Sequence, residues 1–206
     1  MLKIHNLSFD IDGKLLFDTA SAVIPTGHKV GIVGRNGSGK TTLFRLIRKE
    51  WEVDGGQIEV PIDFRIGGVD QEAPASDINL LDTVLAADHE RHQLLAEADT
   101  ATNADRLGQI HARLIDIDAY SGEARAASIL SGLGFDEAAQ ARPCHEFSGG
   151  WRMRVALAAV LFAQPDLLLL DEPTNYLDLE GAIWLESFIA NYKHTVLVIS
   201  HDRTLL

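Results

Sequence analysis

Several things are scarce in this sequence. There is one cysteine, Cys144, so no internal disulfide can form, and a reducing compartment, the cytosol, is the expected setting. Basic residues are outnumbered, 18 Lys and Arg against 30 Asp and Glu, for a net charge of −12. A chain so acidic has no general electrostatic footprint for nucleic acid or anionic lipid, although a local contact stays open. No apolar stretch reaches the length of a membrane span, and the opening MLKIHNLSFD has no hydrophobic core of the kind that drives secretion. Internal repeats, low-complexity tracts and long Pro/Gly/Ser linkers are missing too.

What is present suits one soluble globular domain. Hydrophobic residues make up 46% of the 206, enough for one sizeable core, and charged residues 23%. Residues 2–9 and 29–33 read as strands, the first alternating and the second short and apolar. Leu43, Phe44, Leu46 and Ile47 give 41–49 one apolar helical face. WEVDGGQIEV carries an Asp-Gly-Gly turn between β-prone residues, and RIGGVDQE reads as a strand ending at Gln71. From about 79 to 133 the period becomes helical, with Leu107, Ile110, Leu114 and Ile117 on one face. Two α/β units follow: a helix over 148–162 capped by Ser148, the strand LLLLDE (167–172), a helix near 182–191 and the strand TVLVIS (195–200).

Between the strand at 29–33 and its helix lies GRNGSGKTT, where Gly34, Gly39, Lys40 and Thr41 fit the phosphate-loop pattern G-x-x-x-x-G-K-[ST]. Glycines let successive backbone N–H groups turn toward one anion, and the following helix adds its positive end. Lys40 reaches β- and γ-phosphates, and the Thr41 hydroxyl is a natural Mg²⁺ ligand. The nucleotide-contacting set is thus Gly34, Arg35, Asn36, Gly37, Ser38, Gly39, Lys40, Thr41 and Thr42. Asp171 ends a buried strand, where an acid can hold the metal through water, and Glu172 beside it can orient or deprotonate an attacking water.

With these motifs on the page, the chain resembles a nucleotide-binding domain of the ATP-binding cassette superfamily over nearly its whole length. FSGGWRMR (147–154) resembles the signature motif, LLLLDEPTN (167–175) the Walker B run and YLD (176–178) the D-loop, while Gln71 falls at the Q-loop and His201 at the switch histidine. The resemblance implies an α/β P-loop fold with a mostly parallel core sheet, an antiparallel β part and a helical subdomain carrying a short arm-like insertion at about 79–133. It implies an ATPase using ATP and Mg²⁺, with Glu172 and His201 catalytic and Gln71 touching the metal or the water. Ser148, Gly149 and Gly150 would cap the γ-phosphate of ATP held by a second cassette, with Asp178 lying across the interface. One cassette therefore brings two half-sites, and activity needs a second, on the same chain or in a homodimer.

Three features resemble the soluble ABC-F family, whose members carry two cassettes and act on ribosomes. Trp151 follows SGG, 77 residues separate Gln71 from Ser148, and SHDR is followed by a hydrophobic pair. With its short arm the chain is similar to the bacterial YheS-like branch, as the first cassette. That resemblance implies ribosome or tRNA partners, translation regulation, a cytoplasmic location and no stable membrane partner. The alternative is the ATPase subunit of a membrane transporter; a non-hydrolysing, ATP-gated module is a third reading. Against RNA contact stands the arm's charge: residues 88–118 hold seven acids and three arginines, a net of −4. Where the family stacks adenine on an aromatic, alignment places Ile11, with Phe9 on the same strand face, so weaker apolar stacking and a looser ATP-over-GTP preference are expected.

Overall fold

The computed structural model describes residues 1–69 and 75–200. The chain divides into two compact units, one from Met1–Val69, Gln164–Asn175 and Leu185–Leu206, the other from Asp70–Ala163 and Tyr176–Trp184.

The first unit holds two sheets. β1 (Leu2–Ile11) and β2 (Lys14–Ile24) form a hairpin, followed by β3 (Lys29–Ile32), helix α1 (Lys40–Ile47), β4 (Gly55–Glu59) and β5 (Ile66–Gly68); β6 (Leu167–Asp171) and β7 (Thr195–Ile199) return much later in the chain. The antiparallel sheet has the order β2-β1-β4 and the parallel one β3-β7-β6-β5. Four leucines in a row suit β6 because a central parallel strand is covered on both faces. Leu167, Leu169, Leu197 and Ile199 pack with Phe44 and Ile47 of α1 and with Leu2. Each such burial stabilises by roughly 1.5–3 kcal/mol. This core orients α1, and with it the glycine loop that precedes it.

Register then sets the site. Ile32 and Asp171 are both level with Ile199, so the loops after β3 and β6 leave the same carboxyl edge of the sheet. That edge is where open parallel sheets take ligands.

Two local readings change. The Asp-Gly-Gly segment makes no hairpin: its glycines lie at and beside the start of β4, which pairs with β1. Gly56 is required by close approach, since a Cβ there would run into the carbonyls of His5 and Asn6, and its φ is 77°. The hairpin of this sheet turns instead at Asp12-Gly13, whose φ values of 53° and 80° are those of a type I′ turn.

The second unit is helical: α2 (Leu80–Leu85), α3 (His89–Thr100), α4 (Ala104–Asp116), α5 (Gly122–Gly132), α6 (Glu137–Gln140), α7 (Gly149–Ala163) and the first part of α8 (Leu179–Ala190). Some of the chain's excess acid serves here as helix caps. The carboxylates of Asp88 and Asp136 accept from the N–H three residues on, at 3.0 and 2.7 Å, and the amide oxygens of Asn79 and Asn103 do the same. α2, α5 and α7 pack together, while α3 and α4 form a hairpin around Ile110, Leu114 and Ala119. Two ion pairs lace that hairpin, Arg106 with Glu97 and Arg113 with Glu90, each at 2.6 Å. Among the described residues no helix is long and apolar enough to cross a membrane.

Candidate functional site: a glycine-loop cleft and the start of α7

The loop from Gly34 to Thr42 wraps the space in front of α1. Gly37 and Gly39 take φ values of 74° and 94°, so adjacent backbone N–H groups converge as an ordinary L-residue chain would not allow. Gly39 is also the N-cap of α1, and the helix dipole adds to the field at the same point. The Lys40 ammonium donates to the carbonyls of Gly34 at 2.8 Å and Arg35 at 3.2 Å, a posture that leaves it within its own loop. On the floor, the Thr41 hydroxyl donates to the Asp171 carboxylate at 2.6 Å.

Beside Asp171 the chain turns sharply. Glu172 has φ 47°, a conformation that costs a non-glycine residue about 1–3 kcal/mol and persists where neighbours impose it. Its N–H donates to the Ile199 carbonyl at 2.9 Å, and its own carbonyl accepts from Asn175 at 3.2 Å. The backbone thus leaves β6 at once and keeps the Glu172 carboxyl at the cleft.

The result is an open cleft of about 830 Å³, whose lining includes Ile11, Lys14, Lys40, Thr41, Asp171 and Glu172. Asn36, Gly37, Gly39 and Thr42 line it as well, so most of the expected nucleotide set converges there. Gly34, Arg35 and Ser38 shape the loop from behind: a Cβ on Gly34 would sit 2.8 Å from the Ser38 hydroxyl, and Ser38 N–H donates to Arg35 at 3.2 Å. Gln71 and His201 lie outside the described residues.

The Thr41 hydroxyl and Asp171 carboxylate are hard oxygen donors, which fits Mg²⁺. No cluster of three or more His, Cys, Asp or Glu side chains suited to a metal occurs among the described residues. A cation here would therefore complete its shell with phosphate oxygens and water, the arrangement of phosphate-loop sites.

Ser148, Gly149 and Gly150 belong to the other unit, at the start of α7. Ser148 and Gly149 are exposed, and a Cβ on Gly149 would meet nothing within 4 Å. Asp178 caps α8, accepting from Gly181 N–H at 2.9 Å, and takes a hydrogen bond from Arg154 at 3.1 Å. The Gly181 N–H and then the Arg154 guanidinium hold its carboxyl below the usual range.

Sequence reasoning missed Arg154 and the second strand of the hairpin. Arg154 is only 9% exposed, donates to the carbonyls of Tyr176 (2.6 Å) and Leu133 (3.1 Å), and lies 4.2 Å over the Trp151 ring. Trp151 in turn meets Phe135 edge-on at 5.1 Å, so one part of its ring packs within the helical unit while the rest stays exposed. Lys14 and Leu16 line the cleft from β2, and the Asp12-Gly13 turn pair was the signal that could have found them.

The model of the ABC transporter family matches residues 17–175. Among curated proteins, the chain is 44% identical to "Probable ATP-binding protein YheS" of Haemophilus influenzae and 46% to that of Escherichia coli K12, over 100% of the chain and 33% of each relative. Against "ATP-binding cassette sub-family F member 3" of Homo sapiens it is 40% identical, over 100% of the chain and 30% of the relative. The chain thus spans about a third of the length of these relatives. Among solved structures, an ATP-binding subunit of an ABC transporter superposes with a TM-score of 0.69 at 18% identity, covering 98% of this chain and 80% of that one. A dimeric ATP-binding cassette in a post-hydrolysis state, bound to ADP and Pi, gives 0.68 at 22%, covering 100% and 90%. These two share the fold. With a family model matched over residues 17–175 and these relatives matched along its whole length, the chain belongs to the ABC transporter family.

Proposed function

We propose that this chain is a cassette that binds and hydrolyses ATP, completed by a second cassette, in a cytoplasmic ABC-F protein that acts on the ribosome in translation. The observation that carries the catalytic part is the 2.6 Å pairing of the Thr41 hydroxyl with Asp171 on the floor of a cleft rimmed by Lys40 and Glu172. Mg²⁺, when bound, neutralises charge on the phosphates. Lys40 leaves its loop carbonyls for the β- and γ-phosphate oxygens, and backbone N–H groups of 37–42 hold the rest of the chain of phosphates. Glu172 accepts the proton of a water aligned for in-line attack, a role worth about 10²- to 10⁴-fold in rate.

Ser148, Gly149 and Gly150 present a hydroxyl, backbone N–H groups and a helix start to the nucleotide of the partner cassette, which presents its own in return. Exposure of Ser148 and Gly149 supports that assignment. His201 and Gln71 retain the roles the family resemblance gives them, as does Asp178 at the interface. The length of the curated relatives supports a first cassette of a two-cassette protein, with the α3–α4 hairpin as its arm. All three arginines of that hairpin are engaged internally, Arg91 with the Ala119 carbonyl at 2.8 Å and the other two in ion pairs. Arm contacts with the ribosome would therefore be mainly to protein, or would need those pairs to open.

The test is co-sedimentation of the full-length protein, carrying Glu172→Gln and the matching change in any second cassette, with ribosomes. Retention with ATP and not ADP is expected. Release under both conditions, in a protein that binds ATP and closes, would move the reading to a transporter ATPase subunit or another partner.

A further inference from the structure

We infer that the nucleoside end of the cleft grips its ligand through aliphatic contact, so that the site accepts nucleoside triphosphates with little regard to the base. This rests on the triphosphate reading above and concerns only its far end. The hairpin supplies that end, with Ile11, Asp12, Lys14 and Leu16 lining the cleft. No aromatic residue lines it among the described residues.

The neighbouring aromatic rings are committed elsewhere. Phe9, on the same strand as Ile11, is 7% exposed and stacks on Trp51 with centroids 5.8 Å apart and planes at 22°. Arg45 covers that Trp51 ring from 4.8 Å. Phe17 lies against the phosphate loop, where a Cβ on Gly39 would be 3.1 Å from its ring. Phe9 therefore gives no platform for a base, and the apolar surface left is that of Ile11 and Leu16, both packed on the cluster of Ile4, Leu7, Phe9 and Leu46. A flat aliphatic surface excludes water from any base but lacks the ring-on-ring attraction that favours extended π-systems.

Hydrogen bonding does not restore discrimination. A site rejects a wrong base strongly when buried polar groups would be left unpaired. Here the polar groups at this end, Asp12 and Lys14, are exposed and sit on or beside the two-residue turn, so water can satisfy either one. The Lys14 ammonium, moreover, lies 3.4 Å from the Gly37 carbonyl, directed at the phosphate loop. Its charge adds to that of Lys40 and favours the triphosphate, which all nucleotides share.

The experiment is calorimetric titration of the full chain with the Mg²⁺ complexes of ATP, GTP, CTP and UTP, with inorganic tripolyphosphate as competitor. Dissociation constants within about fivefold of one another are expected, because no buried polar group penalises any base. Tripolyphosphate should displace all four. Ile11→Tyr should tighten the two purine nucleotides by roughly tenfold through stacking while leaving the dissociation constant of tripolyphosphate itself unchanged. ATP or GTP preferred by more than about fiftyfold in the unaltered chain would overturn the inference, since only edge-specific reading reaches such ratios. An Ile11→Tyr chain with unchanged purine affinity would overturn it as well, by placing the base elsewhere. If neither nucleotide nor tripolyphosphate binds, the phosphate-site reading itself fails, an outcome distinct from base discrimination with binding intact.

Discussion

Lys40 and Arg154 put positive charge to opposite uses, and the contrast runs through the two units that contain them. Lys40 rests on carbonyls of its own loop at the rim of an open cleft, from which an anion can draw it away. Arg154 is buried, and its guanidinium is shared among Leu133, Tyr176, Asp178 and the face of Trp151. One unit holds its polar groups at an open cleft; the other uses them to tie α7 to residues 176–178 ahead of α8. Side-chain type does not separate a binding cation from a structural one, but the solvation of each and the number of partners it already has do.

The sharpest way to break the contrast is at the cleft. Glu172→Gln should lower turnover of the assembled protein by about 10²- to 10⁴-fold with nucleotide affinity retained, measured by phosphate release beside equilibrium binding. Next comes the core that holds the cleft in register. Leu170 is fully buried at the register of Val198, and Leu170→Ala should cost about 2–5 kcal/mol of global stability in denaturant titration. Leu114→Ala empties an equally buried position in the α3–α4 hairpin. Its amide-exchange acceleration should stay within 89–116, since local units open separately.

Arg154→Ala should destabilise by about 1–3 kcal/mol, because the Leu133 and Tyr176 carbonyls lose their donor. Arg154→Lys should recover little, as one ammonium cannot reach several acceptors as a planar fork does. Full recovery by lysine would show that charge alone matters there, and the contrast with Lys40 would dissolve.

A smaller effect belongs to pH. Tyr192 donates to the Pro165 carbonyl at 2.8 Å, and burial pushes its phenol well above the ordinary range. The folded state thus prefers the protonated phenol. Its stabilisation is complete below about pH 10, where the unfolded phenol is also neutral, and is lost as pH rises from there toward the folded pKa. Tyr192→Phe should be about 1 kcal/mol less stable at neutral pH and show a shallower alkaline decline in thermal melts. The smallest change should come from Glu97→Gln. Arg106 lowers the Glu97 pKa by hydrogen bonding, yet the pair is exposed, so the shift in melting temperature should be slight and vanish in 1 M salt.

The glycine loop and its acid were legible because each lies in a short contiguous motif whose residue types are forced: glycines, a lysine and a hydroxyl in one, an acid after four leucines in the other. β2 was not read. Its burial follows no clean period of two, and Thr19 within it has φ 48°, so the strand slips register along β1 and the alternation that marks a half-buried strand is blurred. The Asp-Gly-Gly segment misled for a related reason, because glycine marks close backbone approach as readily as a turn. In the helical unit the period of α4 was plain, with Ile110 and Leu114 buried, whereas α3 buries no residue fully and offers no strong pattern. Arg154 was invisible for a deeper reason: its partners are backbone carbonyls at 133 and 176, and only tertiary structure brings those to it.

The order in which strands enter the parallel sheet has a consequence for how the protein is made. β3 carries the phosphate loop, yet it pairs with β7, Val30 lying opposite Leu197. Synthesis must therefore run past residue 199 before the strand that precedes the loop gains its partner. Until then β3 has no strand beside it, although α1 can already rest Leu46 on Ile4, Leu7 and Phe9 of the antiparallel sheet, and closing so long a loop is entropically slow. The nascent chain should stay with a chaperone holdase until residues 195–199 have emerged and become competent for nucleotide only then, so that truncations before β7 yield aggregation-prone chains and no weakened enzyme.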